Sequence, residues 1–410
     1  LLKENGLLGY IAPNNWTTNA GASKLRNKVI KDSKIVEMID FGSYMVFEDA
    51  SIQTMNFILQ KNKSKDNYSF LHSKLFDHNK TNLGAISLLK KEKNANNIIL
   101  TPKVKRQDFI NSYILFENKE KTLLLDKILK NSNFKLNSKE MTNGIHPHHS
   151  VVSKKMFEKN LTTFPVGTGI FSLSDNELAT LNLSKKEKTL IKPFFSNTNH
   201  LSRYTIKSKA TENLIYTDST FKDISKIENF QNLKSHLDNF KNVITSDNRP
   251  YGLHRARKES FFLSGKIISV RKCQSPTFIF DSSINYFSAA FYIIDSNRID
   301  LKYLTAILNS KLVKFWLKNK GKMQGNIFQV DKAPILDIPI FKPNDKIIIS
   351  KIAKLVDDIS LTIKSKTNAT TQREKEFLEH KISSIEAQIN NEVYKLYDIT
   401  PEEVAIIEQT

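Results

Sequence analysis

Residues 6 to 61 read GLLGYIAPNNWTTNAGASKLRNKVIKDSKIVEMIDFGSYMVFEDASIQTMNFILQK. Apolar runs at 7–12, 35–40 and 52–60 have the length and composition of short β-strands, and the pattern of 22–31 is that of a helix. The stretch predicts a β-α-β unit followed by a hairpin partner. Because about sixty residues cannot close a doubly wound domain, we expect this segment to be the last third of a larger α/β domain.

The composition is that of a globular protein with more than one domain. The chain has 410 residues, 40% hydrophobic and 25% charged, with 12 Gly and 11 Pro, which excludes collagen-like and wholly disordered proteins. Single cores seldom exceed about 250 residues, so two or three domains are expected. The single cysteine, Cys273, excludes an intrachain disulfide and favours a reducing cytoplasm. No apolar run approaches the roughly 18 residues that a membrane span needs, so no membrane partner is expected.

The positive charge is concentrated in the first 342 residues. The chain has 62 Lys and Arg against 42 Asp and Glu, a net charge of +20. Residues 343–410 carry nine basic and twelve acidic side chains, so residues 1–342 have a net charge of +23. A field of this sign favours a polyanion such as double-stranded DNA over a neutral small molecule.

Two clusters of cations lie in this basic part. Tyr251–Ser275 contains six cations and one acid, and Leu301–Lys322 contains six lysines and no acid. A solvated helix face or loop is the usual explanation of such clusters. Here, however, aromatic residues such as Phe262 and Trp316 lie among the cations, and cations beside rings are what a nucleic-acid surface requires. The sequence therefore predicts that these two segments form a nucleic-acid surface.

The rest of the chain suggests a second domain and a helical tail. Short apolar runs such as GKIISV at 265–270 alternate with Gly, Asn and Asp turns, which predicts a largely β or mixed α+β domain over 136–342. One amphipathic helix is expected within it, at 301–318. Apolar residues that recur every three or four positions predict helix in the tail, 343–410. Residues 63–135, rich in Lys and Asn, are assigned as a connecting region.

Several common catalytic and metal-binding motifs are absent from the sequence. It contains no GxGxxG, no P-loop and no metal-spaced Cys/His set. His146, His148 and His149 form an HxHH run, but without a partnering Cys or paired acid they are interpreted as loop histidines. No metal is therefore expected.

The loop FGSYMVFEDAS at 41–51 carries three aromatic residues, Phe41, Tyr44 and Phe47. For Phe41 the better interpretation is that its ring closes the sheet edge. A ring in a loop at the rim of an α/β sheet is also where an extruded base could be sandwiched.

Residues 6–61 resemble the closing part of the catalytic domain of adenine-N6 DNA methyltransferases of the TaqI-like class. The family's C-terminal specificity domain is similar to IKPFFSNTNHLSRY (191–204), YGLHRARKESFFLSGKIISVR (251–271) and LKYLTAILNSKLVKFWLKNKGKMQGNIFQVDKAPILDIPIF (301–341). The closing residues resemble the helical tail of fused restriction–modification enzymes in that group. The resemblance implies a remnant of a Rossmann-like methyltransferase sheet at 1–62, the connecting region at 63–135, an α+β target-recognition domain at 136–342 and the helical tail at 343–410.

The resemblance also implies roles for particular residues. Phe47 falls where the family has the aromatic that stacks on the flipped adenine, and such stacking contributes about 1–3 kcal/mol per base. Pro13 and Asn14 match a turn that shapes the pocket wall. Arg255 and Arg257 alternate along the chain, so one is expected to meet base edges while the other holds phosphate. The residues expected to contact DNA are Tyr251, His254, Arg255, Arg257, Lys258, Lys266, Arg271, Lys311, Lys314 and Lys318.

Two motifs of the family are not found in these residues. In the family, a glycine-rich loop binds S-adenosylmethionine and an Asn-Pro-Pro-Tyr motif orients the adenine amino group for attack; the sequence contains neither. The resemblance therefore implies the DNA-recognition portion of a site-specific adenine-N6 DNA methyltransferase of a restriction–modification system. This chain alone is expected to be inactive and to need an N-terminal catalytic part or a separate modification chain.

A second hypothesis is a non-catalytic DNA-specificity subunit that works with separate modification and cleavage chains. Residues 1–60 discriminate between the two hypotheses, because a pure specificity subunit has no use for the end of a methyltransferase sheet.

Overall fold

The fold is described by a computed structural model of the chain. It describes residues 2–49, 52–63, 67–76, 81–110, 114, 119–324 and 327–409. Their strands are β1 (Leu7–Pro13), β2 (Ser33–Asp40), β3 (Thr54–Lys61), β4 (Tyr68–Ser69), β5 (Leu71–Leu75), β6 (Asn97–Leu100), β7 (Lys103–Val104), β8 (Met141–Asn143), β9 (Ser172–Leu173), β10 (Ile191–Phe195), β11 (Leu201–Ser202), β12 (Thr205–Ile206), β13 (Glu212–Ile215), β14 (Lys266–Val270), β15 (Lys272–Cys273), β16 (Phe278–Asp281), β17 (Tyr286–Phe287), β18 (Phe291–Ile294), β19 (Lys322–Gln324) and β20 (Ile327–Gln329). Their α-helices are α1 (Ser23–Asp32), α2 (Asn82–Leu89), α3 (Lys119–Lys130), α4 (Lys154–Glu158), α5 (Asp175–Thr180), α6 (Lys185–Lys188), α7 (Gln231–Asp238), α8 (Ser260–Leu263), α9 (Leu301–Asn309), α10 (Lys311–Lys320), α11 (Lys332–Leu336), α12 (Lys346–Asn368), α13 (Gln372–Leu396) and α14 (Pro401–Glu408).

The first sheet has the strand order β1-β3-β2-β5-β6. β3 is antiparallel to both β1 and β2, which therefore run parallel to each other on its two sides. β2 pairs in parallel with β5, and β5 pairs antiparallel with β6. The three strands and the helix predicted within residues 6–61 are present, and β3 is the antiparallel hairpin partner of β2. β3 also pairs with β1, so it lies between the two strands of the β-α-β unit. The sheet also continues past residue 62, because β5 and β6 come from the region assigned as connecting.

Helix α1 packs on one face of this sheet, whereas the edge strand β1 has exposed side chains. Val29 and Ile30 of α1 are buried against Ile35 and Met38 of β2. In β1, by contrast, the large side chain of Tyr10 is 61% exposed. Within the described part of the chain, β1 is hydrogen-bonded to a strand on one side only. β1 is thus an edge strand with exposed apolar side chains, a combination that soluble proteins usually avoid.

Residues 141–294 build two small sheets around a second core. Their strand orders are β17-β10-β13-β9 and β16-β14-β18-β8. All five residues of β14 are buried, as the apolar run at 265–270 predicts. Ile268 and Ile293 pack in one cluster with Phe194 and Leu214, which holds the two sheets together. The combination of short strands and helices expected of this region is confirmed.

The helix predicted at 301–318 is two helices, α9 and α10, that meet at Ser310. This residue has an extended backbone (φ −66°, ψ 155°), and its Oγ accepts a hydrogen bond of 3.2 Å from the backbone N–H of Val313. A serine at this position caps the start of α10, since its side chain satisfies an N–H group that has no partner within the helix. The apolar stripe is continuous across the break, which is why its periodicity alone suggested one helix.

The tail is helical, as expected, and it packs on the helices before it. Ile352 and Val356 of α12 and Ile389 and Val393 of α13 are buried in one core with Leu304 of α9. α13 ends at Leu396, and Pro401 is the first residue of α14, a position that proline favours because its fixed φ suits the first helical turn. Among the described helices, none combines the length and apolar character required to cross a membrane.

Candidate functional site

Polar side chains from three strand ends meet at one edge of the first sheet. Asn14 Nδ2 donates a hydrogen bond of 2.9 Å to Oδ1 of Asp40, and the same oxygen accepts one of 3.0 Å from the backbone N–H of Gly42. Lys74 Nζ lies 3.8 Å from Oδ2 of Asp40. β1, β2 and β5 run in the same direction, so their carboxyl ends share this edge, where α/β sheets usually place their ligand sites. We name Asn14, Asp40, Gly42 and Lys74 the strand-end cluster.

In the strand-end cluster Asp40 and Gly42 are buried, Asn14 and Lys74 are half-buried, and the charges of Asp40 and Lys74 oppose each other. Asp40 is 9% exposed, and its carboxylate faces the Lys74 ammonium. Next to it on β5, burial lowers the pKa of His72 to about 4, although the Asp40 carboxylate works in the opposite direction. His72 is therefore neutral near pH 7. The sequence interpretation included Asn14 but missed Asp40, although a carboxylate at the end of a predicted strand was the available signal.

The loop that follows β2, residues 41–51, carries three aromatic rings that differ in their exposure to solvent. Phe41 is 4% exposed and packs with Leu75 and Leu88, so it closes the sheet edge as expected. Tyr44 is half-buried, 6.5 Å from the Phe41 ring between centroids. Phe47 is 47% exposed. Of the three rings, only Phe47 presents a large open surface; its stacking on an adenine stays a prediction, as do the pocket-wall roles of Pro13 and Asn14.

Backbone hydrogen bonds join two segments of residues 136–342, and four histidine side chains lie around this contact. His146 and Arg255 exchange two backbone hydrogen bonds, of 3.1 and 3.0 Å. The ring centroid of His254 lies 5.5 Å from that of His146 and 5.1 Å from that of His148, and the His148 and His149 centroids are 4.1 Å apart. We name His146, His148, His149 and His254 the histidine cluster. Within the described ranges, no group of three or more His, Cys, Asp or Glu is arranged to hold a metal ion.

Arg255 and Arg257, which flank the histidine cluster, differ in their surroundings. Arg255 is exposed. Arg257 is half-buried, and its Nε donates a hydrogen bond of 3.2 Å to the carbonyl of Gly144. Burial, and then the charge of Arg255, lower the pKa of Arg257. Lys258 is exposed. Arg255 and Lys258 are therefore the cations of this segment most open to a ligand.

Two of the residues predicted to contact DNA are enclosed by the protein. Tyr251 is 1% exposed, and its hydroxyl donates a hydrogen bond of 2.7 Å to Asp238. Lys266 is fully buried; its ammonium lies 3.1 Å from Asp281 Oδ2 and donates to the carbonyl of Ser283 at 2.5 Å. The expectation of DNA contacts is therefore corrected for both residues: Lys266 lies on a strand buried on both faces, and its charge is matched inside the fold.

The side chain of Arg271 is held by contacts with neighbouring residues of the protein. Its Nη2 lies 2.9 Å from Oδ1 of Asp331, its Nη1 donates a hydrogen bond of 3.0 Å to the carbonyl of Ala289, and its guanidinium lies over the ring of Tyr292. These contacts hold β15 and the segment after β20 together. A DNA contact by Arg271 stays a prediction that must compete with them.

The three predicted lysines of α10 occupy different environments. Lys311 is exposed and forms an ion pair with Glu408 of α14. Lys314 is half-buried; burial, together with the nearby charge of Lys318, lowers its pKa. Lys318 is exposed near the end of the helix. Lys318 is thus the most open cation of the three.

Four aromatic residues that lie among the cations of the two clusters are core residues. Phe262, Tyr303 and Phe315 are fully buried, and Trp316 is 3% exposed. The interpretation of these rings as part of a nucleic-acid surface is corrected accordingly. On α10 the exposed Lys311 and Lys318 lie on the outer side of a helix whose inner side carries Phe315 and Trp316, which gives the same interleaving in the sequence.

Family models match two separate parts of the chain. Residues 1–47 match the Eco57I restriction-modification methylase family, and residues 192–340 match the TaqI-like C-terminal specificity domain.

Curated relatives match over shorter lengths. The type II restriction enzyme and methyltransferase RM.Eco57I of Escherichia coli is 36% identical over 76 residues, which are 18% of this chain and 8% of that protein. The type II methyltransferase M.HincII of Haemophilus influenzae is 30% identical over 107 residues, 26% of this chain and 19% of the relative. The matched part is therefore well under two thirds of the length of either relative.

Solved structures add a likeness of fold. The structure of the type IIL restriction-modification enzyme MmeI in complex with DNA matches with a TM-score of 0.57 at 13% sequence identity, covering all of this chain and 50% of that one. The family matches and the curated relatives agree with each other: the chain is similar to restriction-modification methylases at residues 1–47 and to the TaqI-like C-terminal specificity domain at residues 192–340.

Proposed function

We propose that this chain is the DNA-recognition portion of a site-specific adenine-N6 DNA methyltransferase of a restriction-modification system. The observation that carries the proposal is the presence in one chain of a methylase-family match at 1–47 and a specificity-domain match at 192–340. A specificity subunit without a methyltransferase function, the alternative hypothesis, has no use for the first of these. The adenine-N6 chemistry is inferred from the resemblance of residues 6–61 to the TaqI-like class.

The role proposed for residues 136–342 is to find and bind double-stranded DNA. Its support is the net charge of +23 over residues 1–342 and the exposed side chains of Arg255, Lys258 and Lys318. Cations in such positions neutralise phosphates and release counterions, which supplies most of the sequence-independent part of DNA affinity. Arg255, on a loop that is hydrogen-bonded to the histidine cluster, is the side chain proposed to reach base edges.

The role proposed for the first sheet is to form one wall of the pocket for a flipped adenine. Phe47 would stack on the base, and the strand-end cluster would fix the turn at Pro13 and Asn14 that borders it. The half-exposed ring and the hydrogen bond between Asn14 and Asp40 support this arrangement.

S-adenosylmethionine does not fit the residues of this chain. The described carboxyl ends of β1 and β2 carry Asn14 and Asp40, bonded to each other, and neither strand is followed by the glycine-rich turn that holds the methyl donor in the family. We therefore propose that another part of the methyltransferase supplies the donor site and the Asn-Pro-Pro-Tyr motif. The exposed edge of β1, with Leu7 59% and Tyr10 61% exposed, is the surface proposed to pair with it.

The test uses the chain alone and the chain joined to, or mixed with, a methyltransferase region that carries the two missing motifs. Alone, it should bind duplex DNA and transfer no methyl group from S-adenosylmethionine. Completed, it should produce N6-methyladenine, identified by mass spectrometry of the nucleosides. Methylcytosine in the product would refute the adenine assignment, and failure to bind duplex DNA would refute the recognition role.

A further inference from the structure

The histidine cluster is organised by one hydroxyl and by a left-handed backbone position. Thr245 Oγ1 lies 3.1 Å from Nε2 of His148 and 3.2 Å from Nε2 of His149, so both rings point to the same place. His148 has a φ of 75°. Non-glycine residues adopt this region at a cost of about 1–3 kcal/mol and persist there where the surrounding structure requires it. The arrangement holds the imidazole nitrogens close together at the surface.

The charges that act on the histidine cluster are positive. His146 is influenced by His254, His148 and Arg255, and His149 by His148 and His146. No carboxylate is among these groups. Two further charged side chains, Asp247 and Arg249, are exposed on the segment that follows Thr245. A cluster of four imidazoles beside an exposed arginine therefore has an excess of hydrogen-bond donors over anionic acceptors.

One nitrogen of the cluster has no hydrogen-bond partner among the described residues. Nδ1 of His254 is buried, and within the described part of the chain it has no hydrogen-bond partner. Buried polar atoms are almost always hydrogen-bonded, so the His254 ring carries an unpaired nitrogen beneath the surface that the other three imidazoles form. His254 immediately precedes Arg255, the cation proposed to face DNA.

The protonated forms of His146 and His149 are disfavoured in the free protein. Burial, and then the neighbouring His148 and His146, lower the pKa of His149 to about 4. Burial and the same kind of neighbours lower the pKa of His146. The ring centroids of His148 and His149 lie 4.1 Å apart, and those of His146 and His148 lie 6.0 Å apart. An anion placed against them would reverse the balance, because a nearby negative charge favours the protonated form.

We propose that the histidine cluster is a phosphodiester-binding part of the DNA interface that takes up protons when the DNA backbone docks beside Arg255. The proposal rests on the proposed role in DNA recognition and adds His146, His148 and His149 to the contact surface. Proton uptake on binding means that affinity for duplex DNA increases as pH falls from about 8 to about 6, since the bound histidines then have a higher pKa than the free ones.

The experiment measures binding of the full chain to a duplex of arbitrary sequence, in phosphate-free buffer at constant ionic strength. Uptake of one proton changes the dissociation constant by up to tenfold per pH unit, so we expect affinity about five- to tenfold greater near pH 6 than near pH 8. The double variant His148→Gln, His149→Gln should reduce that ratio to about twofold or less. His380→Gln, at an exposed position of α13, is the matched control and should keep the full ratio.

A second measurement requires no variant. Calorimetric titrations of the unaltered chain with the same duplex, in two buffers of different ionisation enthalpy, report the protons taken up directly. Net uptake near pH 6.5 supports the proposal. Binding that is equally tight at both pH values, without proton uptake, would overturn it and leave the proposed function intact. Absence of duplex binding at either pH would overturn both.

Discussion

Asn14 and Asp40, which are 26 positions apart in the sequence, are joined by a hydrogen bond of 2.9 Å at the carboxyl ends of two parallel strands. The Asp40 oxygen that accepts this bond also accepts from the backbone of Gly42, the second residue of the loop that carries Phe47. A single buried carboxylate thus connects the turn after β1 to the start of the aromatic loop. The position of the loop depends on that carboxylate.

Removing the carboxylate should destabilise the first sheet. Asp40→Ala should lower its free energy of unfolding by about 2–3 kcal/mol, because the buried N–H of Gly42 and the half-buried amide of Asn14 lose their acceptor, whereas Asn14→Ala should lower it by about 1 kcal/mol. The measurement is urea unfolding followed by fluorescence of Trp16, which is buried in this core, in a Trp316→Phe background. Asp49→Ala, at an exposed position of the same loop, is the control. A cost for Asp40→Ala no greater than that of the control would contradict this account.

Phe47 should matter for methyl transfer and little for stability. Its ring is 47% exposed, so Phe47→Ala should change the unfolding free energy by less than about 0.5 kcal/mol while reducing methylation by the completed enzyme. Duplex binding should stay nearly unchanged, because stacking occurs only after the base is extruded. Phe41→Ala removes a buried ring and should cost about 3–5 kcal/mol of stability. Equal losses of methylation and duplex binding in Phe47→Ala would exclude a stacking role.

The strands and helix of residues 6–61 could be predicted because their patterns are local. The alternation of IVEMID and the periodicity around Val29 and Ile30 depend on neighbouring residues, and both elements are present. The insertion of β3 between β1 and β2 could not be predicted in the same way. Strand order depends on which edges pair across the sheet, and no local pattern reports that pairing.

The errors at the candidate site have a common cause. Lys266 was assigned to DNA because it lies among other cations, and a buried ion pair cannot be distinguished from a surface cation without its partner Asp281, 15 positions further on. Phe315 and Trp316 were assigned to the same surface because they alternate with lysines. An amphipathic helix produces that alternation whenever its two faces differ, so spacing alone could not separate core rings from contact rings.

The ion pair of Lys266 and Asp281 should be structural. Lys266→Ala leaves the buried Asp281 carboxylate without its charge partner, and we expect a loss of about 3–5 kcal/mol in unfolding free energy. The double variant Lys266→Met, Asp281→Leu removes both charges and should recover most of that loss. Thermal unfolding compares the two variants. DNA binding is also measured at several salt concentrations. If the salt dependence is unchanged in the double variant, Lys266 does not contact DNA, in agreement with its burial. A clearly weaker salt dependence would mean that Lys266 contacts a DNA phosphate.

Substitutions of Arg255 and Arg257 should have different effects, one on the DNA sequence preferred and the other on the affinity for any duplex. Arg255 is exposed, so Arg255→Ala should relax preference at one base pair and lower the affinity for the preferred site by about 1–3 kcal/mol. Arg257 is held through Nε by the carbonyl of Gly144, and Arg257→Ala should weaken binding to all duplexes and reduce the salt slope by about one. Selection from a randomised duplex pool, followed by titrations at several salt concentrations, measures both effects. Lys375→Ala, exposed on α13, should change neither, and identical behaviour of the two arginine variants would refute the assignment of base reading to Arg255.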